Sequence, residues 1–518
     1  MSEAIRQGYM RTVWAASLLA ALAWVSASEC RAAASAAELP ATARVDFAVT
    51  DGPLARTYRF NNVVGASAFA GVRARDVRFL NREGLHGKIY RVWINDSIYD
   101  PTRGACECRK VAAYLSEISS VSDSLLVNFM PLRAIESGET PAQMLPMLET
   151  VIGQLKRRFP KIDYIEAFNE PDYNFRKTMK PTDLYRYYVP FYEAVNEVNS
   201  KLHPNVPMRV GGPALYEFDV PWLKAFLAGY AADSSPRKRL DFISYHAYGY
   251  FDSGTSGAFH FYRSNPSALA RFRGRLDALL RQAGLDTAIP SFITEMGLYP
   301  GPSFDDLEGH ADALRQAAGM ASYAYWFMSS SRNVAFNWVV RIPSNWRKDE
   351  LVTRPLTGHE VPTDELTPYG NMMLMMSRMK TTRVSASSDR LEHGKGVYVL
   401  ASKDGSGASI MLWNYQDKGR TGFRVALRLS HPPAALRMEP VRERLFRIGA
   451  TTSNYYGDPK HPNLQQVGSR TIRMRDGYRQ TVDLAPNALE LILLAPESRV
   501  HVSLDPCEMA HCSHEVSQ

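Results

Sequence analysis

Two stretches decide the fold: YIEAFNEPDY at residues 164–173 and PSFITEMGLYP at residues 290–300. Each is a short apolar run, rich in Tyr, Ile and Phe, that leads into a carboxylate, Glu170 in the first and Glu295 in the second. Such runs are typical of buried parallel strands, and (β/α)8 barrels carry their sites at the carboxyl ends of their strands. The sequence therefore predicts an α/β fold, a (β/α)8 TIM barrel with two glutamates on one face.

The rest of the central region supports a barrel, because apolar strand-like runs alternate there with amphipathic helical patterns. In the helical pattern at 141–159, apolar residues recur at three- and four-residue steps, which predicts a helix packed on the outside of the barrel. Eight runs are candidate strands: 63–69, 88–94, 124–130, 164–170, 208–214, 240–248, 291–295 and 334–340.

The chain has 518 residues, too many for one ordinary core, so we expect a second domain. We assign 61–381 to the barrel. From 382 to 504, short runs separated by Gly, Asp, Asn and Pro predict an accessory β-sandwich, followed by a polar tail at 505–518. The alternating stretch 43–60, with Asp-Gly-Pro at 51–53, predicts a hairpin outside the barrel that joins the sandwich.

Residues 1–37 differ from the rest of the chain. Arg6 and Arg11 precede an apolar run at 13–25, and small residues follow it. This order predicts a secretory signal peptide and a secreted or periplasmic mature protein. A retained membrane anchor is the alternative, although the run is short for a spanning helix, and the membrane would then be contacted only through this segment.

Four cysteines lie beyond the signal segment: Cys106, Cys108, Cys507 and Cys512. An oxidising compartment permits disulfides, and Cys507 with Cys512 would close a small loop, but spacing alone does not fix the pairing. A zinc site built on Cys106 and Cys108 is a weak alternative, because C-x-C with a distant His is not a specific pattern. We expect no metal and no cofactor.

The formal net charge is +8 and the sequence pI is about 9.1. A basic surface attracts anionic polysaccharides, membranes or nucleic acids, but arginines spread over solvated helix faces have the same composition. No basic run carries interleaved aromatic residues, so we expect no nucleic-acid partner. The oligomeric state is open.

Two carboxylates at strand ends suit the cleavage of a glycosidic bond. That reaction needs an acid to protonate the leaving oxygen and an anion to stabilise the positive charge on the sugar carbon. We assign Glu170 as the acid/base and Glu295 as the nucleophile. Asn169 is placed to donate a hydrogen bond to a sugar hydroxyl.

Further candidates lie at the ends of other predicted strands. Arg91, on the second strand, and His246 and Tyr248, on the sixth, are expected to supply the donors and positive charge that keep the nucleophile ionised. Trp338 is expected to stack on a sugar ring. Tyr173 lies in a loop at the same face and is a candidate wall of a sugar subsite.

These residues resemble glycoside hydrolase family 39, in the clan of retaining barrel glycosidases whose glutamates follow strands four and seven. The resemblance covers about 60–495. It implies the roles given above for Glu170, Glu295 and Asn169, and an H-x-Y motif at His246 and Tyr248. One departure is Trp93, where the family leads us to expect His. The motifs are Asn-Glu-Pro at 169–171, Thr-Glu-Met-Gly at 294–297, RVGGPA at 209–214, VPWLKAFL around Trp222, LDFISYHAYGY at 240–250 and RLFRIGATTSNYYGDPKHPN at 444–463.

The sequence thus predicts a secreted, retaining glycoside hydrolase that acts on a polysaccharide or oligosaccharide, with a bacterial exopolysaccharide as one candidate. A non-catalytic carbohydrate-binding barrel is the alternative. A metal-dependent hydrolase that uses Asp241, His246 and Glu295 as ligands is a third hypothesis, which the lack of a second well-placed His disfavours. The sequence fixes neither the sugar nor the choice between internal and terminal cleavage.

Overall fold

The computed structural model describes residues 38–63, 74–250, 265–299, 310–338 and 365–500. The predicted signal peptide, the C-terminal tail, Cys507 and Cys512 therefore lie outside the described residues. Among the residues described, no helix is both long and apolar enough to span a membrane. The first element is a long strand, β1 (Leu39–Pro53).

Eight parallel strands close into a barrel in the order β10-β11-β2-β3-β6-β7-β8-β9, which confirms the predicted TIM barrel. Seven candidate strands overlap the observed ones over most of their described length. The candidate strand 63–69 overlaps the observed strand at Val63, and its other residues lie outside the described residues. The strands from β2 onwards are β2 (Phe60–Val63), β3 (Ile89–Asn95), β4 (Tyr99–Asp100), β5 (Ala105–Cys106), β6 (Ser124–Met130), β7 (Ile162–Ala167), β8 (Arg209–Leu215), β9 (Phe242–Tyr250), β10 (Ser291–Tyr299) and β11 (Asn333–Asn337), of which β4 and β5 form a separate two-stranded ribbon.

Helices cover the outside of the barrel through apolar stripes. In α4, for example, Met144, Leu148, Val151 and Leu155 are buried, as the three- and four-residue spacing predicts. Burial of each such side chain stabilises the fold by roughly 1.5–3 kcal/mol. The helices are α1 (Ala74–Arg82), α2 (Arg109–Val121), α3 (Leu132–Glu136), α4 (Pro141–Arg158), α5 (Pro171–Asn174), α6 (Leu184–Leu202), α7 (Val220–Ala232), α8 (Ala270–Gln282), α9 (His310–Phe327) and α10 (Pro368–Arg378), with single 3-10 turns at Thr57–Arg59, Asp96–Ile98 and Pro266–Leu269.

The accessory β domain is a single sheet in the order β18-β17-β20-β15-β14-β12-β1-β16-β19, with β13 paired to β14. Its two halves share one apolar core, which includes Phe47, Val399, Leu412, Leu427 and Ile492. The elements are β12 (Thr382–Ser388), β13 (Leu391–Glu392), β14 (Lys395–Asp404), β15 (Gly407–Tyr415), β16 (Phe423–Ser430), α11 (Ala434–Met438), β17 (Val441–Ile448), β18 (Gln465–Ile472), β19 (Tyr478–Leu484), β20 (Leu489–Pro496) and α12 (Glu497–Val500).

The predicted hairpin at 43–60 is wrong. Residues 39–53 form one strand that pairs antiparallel with β12 and parallel with β16, both more than 300 positions away. The Asp-Gly-Pro signal at 51–53 marks the end of this strand and not a reversal between two strands. The expected association with the sandwich is nevertheless observed, because β1 lies inside that sheet.

The sandwich packs on the barrel through α9. The ring of Trp413 stacks on Tyr398 with centroids 4.7 Å apart, and both side chains face the helix. Trp413 Nε1 donates to Ser322 Oγ at 3.0 Å, and Trp326 Nε1 donates to Tyr398 OH at 2.9 Å. These aromatic and polar contacts hold the α9 side of the barrel against the second domain.

Candidate active site

The two glutamates lie together at the carboxyl ends of the barrel strands. Glu170 follows β7 and precedes α5, while Glu295 lies within β10, which continues beyond it to Tyr299. The pairing of β9 with β10 shifts register between Ile293 and Glu295, so that Glu295 stands opposite His246. This irregularity lets one strand present a carboxylate to the site and still complete the barrel.

Glu295 is almost fully buried and is held by two hydrogen bonds. Arg91 Nη1 donates to its Oε1 at 2.7 Å, and the hydroxyl of Tyr248 donates to its Oε2 at 2.5 Å. Burial, followed by repulsion from Glu170, raises the pKa of Glu295, while His246, Arg91 and the Tyr248 hydroxyl lower it, and the net direction is upward. The donors predicted from the second and sixth strands are thus the groups that hold an anion here.

Arg91 is the centre of this network, and its side chain is fully buried. Besides Glu295, its guanidinium donates from Nε to Glu166 at 2.6 Å, from Nη2 to Asn169 at 2.9 Å and from Nη1 to Asn62 at 3.0 Å. A buried cation is tolerated when it is paired and hydrogen-bonded in this way. Attraction to the two carboxylates outweighs burial and raises the pKa of Arg91.

Glu166 was missed by the sequence reasoning. It lies inside β7, is fully buried and accepts from both Arg91 and Asn128, the latter at 2.9 Å. Asn128 stands opposite Glu166 on the neighbouring strand. The available signal was a charged residue inside an apolar strand, four positions before Glu170. A buried carboxylate needs a buried partner of opposite charge, and Arg91 was already a predicted site residue.

Glu170 lies in a strained backbone segment. Its φ is +51°, and nearby Phe168 and Ala214 are also left-handed, with φ of +68° and +49°. Left-handed conformations are costly for residues with side chains and persist when the surroundings enforce them. Here Glu170 N donates to Ala214 O at 2.7 Å, which ties the residue to the end of β8.

The side chain of Glu170 is more open than that of Glu295, with 18% of it exposed against 4%. Its Oε1 is 2.9 Å from His246 Nδ1. Burial, together with the charge of Arg91, lowers the pKa of His246 to about 4, so this imidazole is neutral at neutral pH. A neutral imidazole can donate to a carboxylate or accept from a carboxylic acid at this nitrogen, so the contact suits both protonation states of Glu170.

The donor atoms of Glu170, His246 and Glu295 all lie within 4.8 Å of one another, close enough for a shared cation. However, the guanidinium of Arg91 already neutralises Glu295 and would repel a metal ion at this position. The hypothesis with Asp241 as a ligand is wrong, because Asp241 precedes β9 at the opposite end of the barrel. There it accepts from Val210 N at 2.7 Å and from Arg239 at 2.8 Å.

Aromatic residues form the other side of the site. Trp338 follows β11, with its ring 6.3 Å from that of Tyr248 and 5.7 Å from that of Trp93. Trp93, which replaces the expected His, places its ring 5.2 Å from the Arg91 guanidinium carbon. The structure therefore places the predicted platform residue Trp338 beside Tyr248. Tyr173 is exposed, as a subsite wall must be.

Cys106 and Cys108 form a disulfide in the segment that follows β3. Their sulfur atoms are therefore not thiolate ligands, and the zinc alternative built on them is wrong. The segment leaves the carboxyl end of a barrel strand, so the disulfide lies on the same face of the barrel as the two glutamates.

The fold is a TIM barrel with an accessory β domain, and two carboxylates meet on one face of the barrel. Residues 137–341 match the family model described as glycosyl hydrolase catalytic core, and this segment contains both glutamates. A comparison with curated protein sequences finds no match.

Solved structures with the same fold include three relatives. A bacterial orthologue of human α-L-iduronidase is 15% identical, with a TM-score of 0.63 over 89% of this chain and 84% of that one. A family 39 enzyme from Xanthomonas axonopodis pv. citri is 15% identical, with a TM-score of 0.61 over 90% and 99%. A monomeric β-xylosidase from Caulobacter crescentus CB15 is 14% identical, with a TM-score of 0.63 over 89% and 100%. The predicted resemblance to family 39 is thus confirmed in the fold, and the catalytic-core match supports a glycosidase.

Proposed function

We propose that this protein is a retaining glycoside hydrolase that cleaves a polysaccharide or oligosaccharide by double displacement. The observation that carries the proposal is the carboxylate pair. The nearest donor atoms of Glu170 and Glu295 lie within 4.8 Å, and their surroundings differ. Retaining glycosidases have carboxyl groups about 5–5.5 Å apart, whereas inverting ones need about 6.5–9.5 Å to admit a water molecule.

In the first step, Glu295 attacks the anomeric carbon. Its carboxylate is held in place by Arg91 and Tyr248. Glu170 gives its proton to the glycosidic oxygen, the bond to the leaving group breaks, and a glycosyl ester forms on Glu295. In the second step, Glu170 takes a proton from water as the water attacks the same carbon. This releases the sugar with its configuration retained and regenerates both glutamates.

Asn169 is assigned to a sugar hydroxyl next to the reacting carbon. Its Oδ1 accepts from Arg91 at 2.9 Å, which fixes the orientation of the amide. The amide nitrogen then remains to donate a hydrogen bond to the sugar. A donor at this position stabilises the transition state as charge develops on the ring.

We also propose that the protein is exported. The N-terminal segment has the order of charges and apolar residues of a signal peptide. The disulfide between Cys106 and Cys108 supports the proposal independently, because disulfides persist in oxidising compartments. Mass determination of the protein from a periplasmic or culture fraction tests it. The expected mass corresponds to loss of roughly the first 27–37 residues, and an intact N-terminus on a cytoplasmic protein would contradict export.

The mechanism is tested by the configuration of the first product. Aryl glycosides and intact bacterial polysaccharides are screened for activity, and proton NMR of the early product of a hydrolysed glycoside is then recorded. We expect the anomer of the substrate to appear first, while the opposite anomer would indicate inversion and overturn the proposed double displacement.

The Glu295→Gln variant tests the nucleophile. It is expected to lose at least about 10⁴-fold in kcat, because the amide cannot form the ester. The matched control is Glu149→Gln on the outer helix α4, which should retain full activity. Unchanged activity of Glu295→Gln would remove the nucleophile assignment. A protein that binds glycans but turns over none of them would favour the non-catalytic alternative.

A further inference from the structure

We propose that the stacked pair Tyr173 and Tyr216 is the platform for the leaving-group sugar. The proposal rests on the proposed function and extends it to the side of the scissile bond away from the nucleophile. Tyr173 is 63% exposed, and its ring lies 4.9 Å from that of Tyr216 at an interplanar angle of 25°.

The pair lies beside the acid/base. Tyr173 is three residues after Glu170, and its backbone N–H donates to Glu170 O at 3.0 Å. Tyr216 directly follows β8, the strand whose Ala214 O accepts from Glu170 N at 2.7 Å. Both tyrosines therefore stand on backbone segments bonded to the acid/base. The distance between platform and proton donor is set by the fold.

Asp172 joins the two segments. It is buried, with 6% exposed, and its Oδ1 accepts from Tyr216 N at 2.8 Å. At the end of α5, Asn174 Nδ2 donates to Asn169 O at 2.9 Å. These bonds hold the loop after β7 and the loop after β8 as one surface. A rigid aromatic surface binds a sugar at a lower entropic cost than a flexible one.

The position of the pair identifies the sugar it would contact. The sugar under attack must lie over Glu295, which is buried at the bottom of the site. The acid/base must reach the glycosidic oxygen, so the leaving sugar extends past Glu170, towards the more exposed side. Tyr173 is exposed and its backbone is bonded to Glu170, so its ring is the candidate surface for that sugar. The apolar face of a sugar packs well on an aromatic ring.

The test compares two substrates with the same glycone: a glycosyl fluoride, which puts no sugar on the platform, and a disaccharide, which does. The variant is Tyr173→Ala, and Met438→Ala, an exposed apolar residue on α11, is the matched control. We expect kcat/KM for the disaccharide to fall about tenfold in Tyr173→Ala and the value for the fluoride to stay within about twofold. The platform would be overturned if Tyr173→Ala lowered kcat/KM for neither substrate, or lowered it equally for both.

A binding measurement needs no turnover and so separates this proposal from the proposed function. Calorimetric titration of an oligosaccharide into Glu295→Gln should give a Kd about tenfold lower than into Glu295→Gln/Tyr173→Ala. An unchanged Kd would overturn the platform even if the protein proves to be a non-catalytic binder.

Discussion

The two sides of the site differ in how the protein holds them. On the nucleophile side, Arg91 and His246 are fully buried, Glu295 is 3% exposed, and all three stand on barrel strands. On the acid/base side, Glu170 and Tyr173 stand on the segment between β7 and α6, and Tyr173 is 63% exposed. In the proposed mechanism, the nucleophile is thus built into the barrel, whereas the acid/base, which exchanges protons with water, stands at its rim.

On the side of the proposed acid/base, a large effect that depends on the leaving group is expected. Glu170→Ala should lower kcat/KM for a disaccharide by about 10²–10⁴-fold, because a sugar alkoxide leaves poorly without a proton. The same variant should form the glycosyl-enzyme from a glycosyl fluoride almost as fast as the wild type, since fluoride needs less assistance. Pre-steady-state release of fluoride gives this rate. Equal losses with both leaving groups would remove Glu170 as the acid.

On the side of the proposed nucleophile, the network around Arg91 is also expected to affect stability. Arg91→Met leaves Glu166 and Glu295 buried without their cation and should lower the free energy of unfolding by about 3–5 kcal/mol in urea titrations. Arg424→Met, which removes an exposed ion pair with Asp483, is the control and should change stability far less.

A second change makes the Arg91 prediction sharper. Arg91→Met/Glu166→Gln should regain part of the loss, because one buried carboxylate becomes neutral. If Arg91→Met were as stable as the control, the network around Arg91 would not hold the site together.

The buried imidazole gives a pH dependence. The pKa of His246 lies near 4 in the folded protein and at 6.5 in the unfolded chain, so the unfolded chain binds an extra proton between these values. Stability should therefore fall as the pH drops from 6.5 towards 4, by about 3 kcal/mol at the end of that range. The free energy of unfolding is measured by urea titration at pH 6.5 and at pH 4. Between these two pH values it should fall less in His246→Asn than in the wild type.

His431 provides the opposite case. It is exposed, and a hydrogen bond with Asp46 raises its pKa above 6.5. Its stabilising contribution is complete below 6.5 and is lost as the pH rises through the folded pKa. His431→Asn should thus remove a contribution with the reverse slope. Identical slopes in the two variants would contradict the burial argument for His246.

The smallest effect is expected from one hydroxyl. Tyr248→Phe removes the hydrogen bond to Glu295 Oε2 and should lower kcat by about 10–100-fold, because the bond to a charged group is worth roughly 1.5–3 kcal/mol. The control is Tyr188→Phe on the outer helix α6. It removes a hydroxyl that donates to Arg239 O and should leave kcat unchanged.

Much of the fold was predictable from local patterns. Buried parallel strands appear as short apolar runs, and helices such as α4 appear through their spacing. The hairpin prediction failed for a physical reason: β1 pairs with Ser388 and Phe423, and no local turn signal encodes partners so far along the chain.

The site was predictable where its residues follow strand ends. The structure brings Arg91, His246 and Tyr248 into contact with the two glutamates and Asn169 into contact with Arg91, as the shared edge of parallel strands requires. Glu166 was missed because it lies inside a strand, where its role depends on a partner two strands away. The register shift that turns Glu295 towards His246 has no signature in the sequence.

The most direct test of the account is to identify the residue that carries the sugar during turnover. The enzyme is incubated with a 2-deoxy-2-fluoroglycosyl fluoride of its preferred glycone, which slows hydrolysis of the ester, and is then digested and mapped by mass spectrometry. We predict one added sugar per chain, on the peptide that contains Glu295, and no label in Glu295→Gln. A label on Glu170, or turnover of the unmodified glycoside with no covalent intermediate and an inverted product, would contradict the account.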